Sequence, residues 1–134
     1  MKPTVYIMRG LPGSGKSTWI RNNVPNAVVC SADHYFERNG KYEFNPKLLP
    51  QAHDACMEHF KNSLRGYEDQ IVVDNTNLSA WEYEKYVNLA KQNGYQIEIV
   101  NLGDGGLTDE QLASRNTHGV PVSAYARMRL RMNP

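Results

Sequence analysis

Several features are scarce in this 134-residue chain, and each scarcity excludes a class of protein. Two cysteines are too few for the disulfide framework of a small secreted domain, so reduced thiols in a cytoplasm are expected. The formal net charge is only +1, so bulk charge does not indicate a polyanionic partner. No apolar run approaches the length of a membrane span, and no signal peptide is visible. We therefore expect one soluble, cytoplasmic domain over residues 1–134, with no membrane partner.

A glycine-rich stretch near the N-terminus carries the strongest functional signal. It fits the phosphate-binding pattern G-x-x-x-x-G-K-[ST] at every fixed position and lies between an apolar run, Thr4–Met8, and an expected helix from Ser17. Glycines let the backbone approach a ligand closely, and the loop N–H groups then form an anion site at a helix N-terminus. The predicted nucleotide-binding residues are Gly10, Leu11, Pro12, Gly13, Ser14, Gly15, Lys16, Ser17 and Thr18. In this pattern Lys16 reaches the β- and γ-phosphates, and the Ser17 hydroxyl ligates Mg²⁺.

The rest of the chain predicts an α/β fold with a small four-stranded parallel sheet. Strand-like and helix-like segments alternate four times with short connections, which gives a parallel sheet flanked by helices. The first three strands are continuous apolar runs and the fourth alternates, so the expected strand order is 2-3-1-4 with the fourth at an edge. The strands are expected at 4–8, 26–31, 71–73 and 95–100. Residues 37–45 are predicted to form a polar surface loop.

Two acidic residues follow predicted strands. Because ligands of open α/β sheets bind at the carboxyl ends of strands, Asp33 and Asp74 are expected beside the glycine-rich loop. Asp33 is a candidate base that accepts a proton from a hydroxyl substrate, or alternatively the N-cap of the turn at Tyr35 and Phe36. Asp74 is a candidate Mg²⁺ ligand through water, or alternatively part of an Asx-turn with Asn75 and Thr76.

The C-terminal part of the chain is basic. Residues 111–134 contain four arginines and no acidic residue, a pattern typical of a phosphate-binding surface or of a solvated helix face. Glycines before and after residues 108–118 predict a mobile flap, within a short lid over about 103–120. Thr108 and Gln111 form a capping box at the start of that flap, as Ser79 and Glu82 do before an earlier helix.

Four blocks in order resemble the 5′-polynucleotide kinase family of P-loop phosphotransferases. They are Gly10–Thr18, Ser31–Tyr35, Asp74–Leu78 and Arg115–Pro121. The resemblance covers nearly the whole chain; it extends to the phage-type kinase and, more closely, to the kinase domain of a eukaryotic ubiquitin-ligase-binding protein. It implies a kinase-type P-loop fold that uses ATP and Mg²⁺.

The resemblance also implies an activity and its residues. Asp33 would activate the 5′-hydroxyl of a DNA or RNA strand, and Arg115 would neutralise charge on the transferred phosphoryl group. A kinase for a small hydroxyl acceptor, such as a nucleoside or sugar, and a non-catalytic ATP-binding module are the alternatives. This length leaves no room for a phosphatase or ligase domain, so separate end-processing or ligation enzymes are the expected partners.

The chain departs from the phage-type pattern at two positions. Phe36 stands where the phage-type kinase has an arginine that contacts the acceptor phosphate, and His118 lies where it has a second lid arginine. An aromatic side chain here could stack on a base or could be core. Arg127 and Arg131 are four residues apart, so they are expected on one helix face near the acceptor. The candidate acceptor-binding residues are Tyr35, Phe36, Arg38, Arg127 and Arg131.

Overall fold

The computed structural model describes residues 2–132, so residue 1 and residues 133–134 of the expected domain lie outside the described range. The strands are β1 (Thr4–Gly10), β2 (Val28–Cys30), β3 (Glu37–Arg38), β4 (Lys41–Tyr42), β5 (Gln70–Asp74) and β6 (Gln96–Gly103). The helices are α1 (Lys16–Asn23), α2 (Leu49–Arg65), α3 (Ala80–Gln92), α4 (Asp109–Arg115) and α5 (Val122–Arg131). In this range no helix is both long and apolar enough to cross a bilayer.

The main sheet is parallel, with strand order β2-β5-β1-β6. When the short strands β3 and β4 are left out of the count, this is the predicted order 2-3-1-4, so the fold prediction is confirmed. The two central strands are apolar because helices cover both of their faces. Val5 and Ile7 of β1 are buried on the side of α2 and α3, whereas Met8 is buried on the side of α1.

Strand β6 occupies the edge next to β1, as its alternating sequence predicts. Its residues are mostly exposed or half-buried, and Ile99 keeps 48 % of its surface in solvent. The opposite edge strand, β2, has only three residues, and a short edge strand limits pairing with other chains.

Helix α2 shows how sequence spacing produces the core. Asn45 accepts a hydrogen bond from the Lys47 N–H and caps a 3-10 turn, Pro46–Leu48, that continues into α2. The apolar positions recur every four residues, so they form one buried stripe against the sheet. That stripe is Ala52, Cys56, Phe60 and Leu64. Full burial of a side chain such as Phe60 stabilises the fold by roughly 1.5–3 kcal/mol.

The prediction of a polar surface loop over residues 37–45 is wrong in one respect. Strands β3 and β4 pair antiparallel within it and form a hairpin. Asn39 and Gly40 make the two-residue turn with φ values of 52° and 78°, and this left-handed backbone is the reason that Asn-Gly favours such turns. The hairpin brings Tyr42 back towards the 3-10 helix Ala32–Phe36, which follows β2.

Candidate functional site

The glycine-rich loop connects β1 to α1 at the carboxyl end of the sheet. Gly13 and Gly15 have φ values of 89° and 107°, a left-handed conformation that glycine adopts without steric cost. Lys16 is the first residue of α1, and its ammonium group donates a hydrogen bond to the Gly10 carbonyl at 2.9 Å. The loop therefore ends at a helix N-terminus, where the helix dipole and free N–H groups favour an anion.

The outer side of the loop is packed against the C-terminal third of the chain. A Cβ on Gly13 would overlap the carbonyl oxygen of Leu112 in α4, so only glycine permits this approach. The Tyr125 hydroxyl of α5 donates to the Pro12 carbonyl at 2.8 Å. The loop residue Leu11 is fully buried in a cluster with Leu112 and Tyr125. Helices α4 and α5 thus support the loop conformation.

A cavity of about 820 Å³ opens in front of the loop. The residues that line it come from the loop, the segment after β2, the hairpin, the end of β5, the lid segment and α5. The sequence-predicted residues among them are Pro12, Gly13, Gly15, Lys16, Ser17, Thr18, Asp33, Asp74, Arg115 and Arg127. Asp33 and Asp74 therefore lie beside the loop, as their positions after the ends of parallel strands predict.

Burial and neighbouring opposite charges shift the pKa values of both Lys16 and Asp74. Asp74 ends β5 and pairs in register with Met8 of β1, next to the loop. Burial lowers the pKa of Lys16, while the negative charges of Asp74 and Asp33 act in the opposite direction. Burial also raises the pKa of Asp74, and the Lys16 charge opposes that shift. The site thus holds a cation and carboxylates at the place where a phosphate chain and a metal would add their own charges.

The residues at the loop fit a triphosphate and Mg²⁺. Gly15, Lys16 and Ser17 line the cavity at the N-terminus of α1, and Asp74 lines it from the end of β5. Within residues 2–132 no three His, Cys, Asp or Glu side chains gather into a metal cage. Mg²⁺ in phosphotransferases needs no such cage, because water and substrate phosphates supply most of its ligands. A hydroxyl from Ser17 and a carboxylate from Asp74 would be enough on the protein side.

Asp33 is held by two side chains that the sequence analysis did not assign to it. Its Oδ1 accepts a hydrogen bond from the Tyr42 hydroxyl at 3.0 Å, and its Oδ2 lies 3.4 Å from Nδ1 of His118. The rings of Tyr42 and His118 stack with centroids 4.0 Å apart and an interplanar angle of 12°. Burial and the Asp33 charge raise the pKa of Tyr42, so its hydroxyl stays a donor.

The capping alternative for Asp33 is wrong. Ser31 is the N-cap of the 3-10 helix, and its hydroxyl oxygen accepts from the Asp33 N–H at 3.2 Å. The Asp33 carboxylate is therefore free of a capping role and lines the cavity. The hairpin that delivers Tyr42 was detectable in the sequence, since Asn39-Gly40 is a strong hairpin signal. No sequence pattern indicated the contact of His118.

Several predicted acceptor-binding residues do not line the cavity. Phe36 is 2 % exposed and packs in the core, so the expectation that it stacks on a base is wrong. Tyr35 packs edge-on against Phe36, and Arg38 lies exposed in β3. Arg131 does not line the cavity, and its guanidinium lies 3.4 Å from the Glu82 carboxylate of α3. Arg127, by contrast, lines the cavity.

Comparison with known proteins assigns the chain to a family. The family described as "AAA domain" matches residues 5–134. The chain belongs to this AAA domain family. Its structure has the fold of the P-loop kinases. A solved chain in "Structure of the Pnkp1/Rnl/Hen1 RNA repair complex" superposes with a TM-score of 0.70 and 21% identity, over 98% of this chain and 44% of that one.

Two curated relatives share more sequence with this member of the family. NEDD4-binding protein 2 of Homo sapiens is 37% identical over 128 residues, which cover 92% of this chain and 7% of the relative. The putative bifunctional polynucleotide phosphatase/kinase of Acanthamoeba polyphaga mimivirus is 31% identical over 95 residues, 70% of this chain and 19% of the relative. The chain therefore spans less than a quarter of the length of either relative.

Proposed function

We propose that this chain is an ATP-dependent kinase that transfers the γ-phosphate to the 5′-hydroxyl of a DNA or RNA strand. The observation that carries the proposal is the position of Asp33. Its carboxylate faces the same cavity as the glycine-rich loop, and a side-chain hydroxyl holds one of its oxygens. A nucleotide-binding module without transfer activity has no need of a carboxylate oriented in this way.

On the donor side, the loop N–H groups and Lys16 bind the phosphate chain of ATP. The Ser17 hydroxyl, and Asp74 through water, would hold Mg²⁺ beside it. When bound, Mg²⁺ neutralises charge on the β- and γ-phosphates. Burial lowers the pKa of Lys16, and the charges of Asp74 and Asp33 oppose that shift; the phosphate chain of ATP would add further negative charge that favours the ammonium form.

On the acceptor side, Asp33 orients the hydroxyl and accepts its proton. A bond forms between the acceptor oxygen and the γ-phosphorus, while the bond from that phosphorus to the β–γ bridging oxygen breaks and releases ADP. The proton of the hydroxyl moves to Asp33 Oδ2, since Oδ1 is occupied by the Tyr42 hydroxyl. His118 Nδ1 lies 3.4 Å from Oδ2, next to the oxygen that takes the proton.

Residues 103–120 are proposed as a lid within a single domain. Gly105, Gly106 and Gly119 have positive φ values at its two ends, and α4 lies between them. The lid places Arg115 in the cavity wall, where it stabilises negative charge that develops on the transferred phosphoryl group. Exclusion of water by a closed lid favours transfer over hydrolysis.

Two similar proteins support the proposal of a nucleic-acid acceptor. One relative is a putative bifunctional polynucleotide phosphatase/kinase, and one structural neighbour comes from an RNA repair complex. We therefore propose that separate end-processing or ligation enzymes act on the same strand ends. The cofactors that this proposal requires are ATP and Mg²⁺.

The test is transfer of radiolabelled γ-phosphate to three acceptor sets: 5′-hydroxyl oligonucleotides of DNA, the same of RNA, and a panel of nucleosides and sugars. We expect labelled oligonucleotides from the wild type, and a fall of roughly 10²-fold or more for Asp33→Asn with ATP binding retained. Lys16→Ala should abolish transfer to every acceptor. Label in the small-molecule panel alone would favour the small-acceptor kinase. ATP binding without transfer to any acceptor would favour the non-catalytic module.

A further inference from the structure

Three aromatic rings line the cavity next to Asp33. Tyr42 stacks on His118 on one side, and the Phe44 ring is nearly parallel to Tyr42, with centroids 6.4 Å apart and an interplanar angle of 8°. We call His118, Tyr42 and Phe44 the aromatic column. The column is joined to the proposed base, because the Tyr42 hydroxyl donates to Asp33 Oδ1.

Phe44 is the accessible member of the column. Half of its surface, 50 %, is exposed although the side chain is large and apolar. It is not loose, since its ring packs against the buried Phe36 ring at a centroid distance of 5.1 Å. An anchored aromatic ring that stays exposed inside a cavity is typical of a ligand contact rather than of core packing.

Charge on this side of the cavity argues against recognition of a phosphate. The part of the lining that comes from residues 31–44 consists of Ser31, Asp33, His34, Glu37, Tyr42 and Phe44. This described segment therefore contributes no lysine or arginine to the cavity wall. The nearby cations Arg38 and Lys41 are exposed and lie outside the lining. Two carboxylates, Asp33 and Glu37, would repel an acceptor phosphate in this position. An uncharged part of the acceptor is the better occupant.

We propose that the aromatic column binds the nucleobase of the acceptor's 5′-terminal nucleotide by stacking, with Phe44 as the contacting ring. This inference rests on the proposed function, and it explains how the cavity beside Asp33 selects its acceptor. A terminal nucleotide has its base within a few bonds of its 5′-hydroxyl, so a base on the column brings that hydroxyl to Asp33. Stacking on an aromatic face tolerates every base, because each base has a π-face. The column thus selects for a base at the end of the strand and not for a particular sequence.

The test compares two oligonucleotides that differ only in the 5′-terminal nucleotide. One carries a normal base there, the other an abasic tetrahydrofuran residue with the same 5′-hydroxyl. For the wild type we expect kcat/KM to be lower by about fivefold or more for the abasic acceptor, since loss of one stacked base has at least that effect. Phe44→Ala should lower kcat/KM for the normal acceptor towards the abasic value and remove most of the discrimination between them.

Matched variants separate stacking from structural damage. Phe44→Leu keeps apolar packing on Phe36 but lacks a π-face, so it should also lose discrimination, whereas Phe44→Tyr should retain it. Trp81 is 72 % exposed and lies outside the cavity, so Trp81→Ala should discriminate as the wild type does. Equal kcat/KM for both acceptors in the wild type overturns the inference while the proposed function stands. Discrimination that persists in both Phe44→Ala and Phe44→Leu also overturns it. No transfer to either acceptor contradicts the proposed function itself.

Discussion

Removal of the Tyr42 hydroxyl tests whether Asp33 must be oriented by its neighbour. Tyr42→Phe deletes the 3.0 Å hydrogen bond to Asp33 Oδ1 and keeps the ring that stacks on His118. A hydrogen bond to a charged group contributes about 1.5–3 kcal/mol when it is well shielded from water. The Asp33 side chain is 49% exposed, so solvent screening reduces this value. We take about 1–1.5 kcal/mol as the effect on the transition state.

That energy corresponds to a fall in kcat of about 5- to 12-fold for Tyr42→Phe at saturating ATP and acceptor. The KM for ATP should not change, because Tyr42 lies on the acceptor side of the cavity and the loop is intact. The assay is the oligonucleotide kinase reaction with kcat and both KM values measured separately. If Tyr42 acts only through Asp33, adding Tyr42→Phe to Asp33→Asn should cause little further loss, since the two residues act as a unit.

Tyr95→Phe is the matched control. Its hydroxyl donates to the Glu68 carbonyl at 2.7 Å near the start of β6, at the end of the sheet opposite the loop. This variant also loses a tyrosine hydrogen bond but should keep the wild-type kcat. The reasoning is refuted if Tyr42→Phe stays within about twofold of the wild type, or if both variants lose activity equally.

Two further predictions concern the basic C-terminal helix and the loop before α4. Arg127→Ala should raise the KM for an oligonucleotide and flatten the salt dependence of that KM, because a phosphate contact releases counterions. Arg131→Ala should leave both the KM and its salt dependence unchanged. The same salt slope in both variants would contradict this prediction. Asp104→Asn should lower the thermal midpoint at pH 7, because the Arg129 hydrogen bond, followed by the Gly106 N–H, lowers the pKa of that carboxyl. The folded state then binds fewer protons than the unfolded state, so this stabilisation is present above the ordinary pKa of 3.8 and lost as pH falls through the lower folded value. A midpoint difference between wild type and Asp104→Asn that does not shrink on acidification would be inconsistent with it.

The sequence by itself determined the sheet and the donor half of the site. The phosphate-binding pattern fixes a loop between a strand and a helix, and its glycines are needed where φ is positive or where a Cβ would clash, as at Gly13. The edge position of β6 followed from its alternating sequence, because continuous apolar runs are typical of strands that are covered on both faces. Lys16, Asp33 and Asp74 could be placed together for a topological reason, since parallel strands end at one edge of the sheet. These features depend on local sequence and on general rules of chain topology.

Only the tertiary structure decided which side chains make up the acceptor half. Phe36 and Phe44 are both aromatic residues in the same short region, yet one is buried and the other half exposed. Arg127 and Arg131 share a helix face by spacing, yet only Arg127 lines the cavity, while Arg131 contacts Glu82 of α3. The contact of His118 with Asp33 joins residues 85 positions apart. Such outcomes depend on how the hairpin, the lid and α5 pack against each other, and packing between distant elements leaves no local periodic pattern in the sequence.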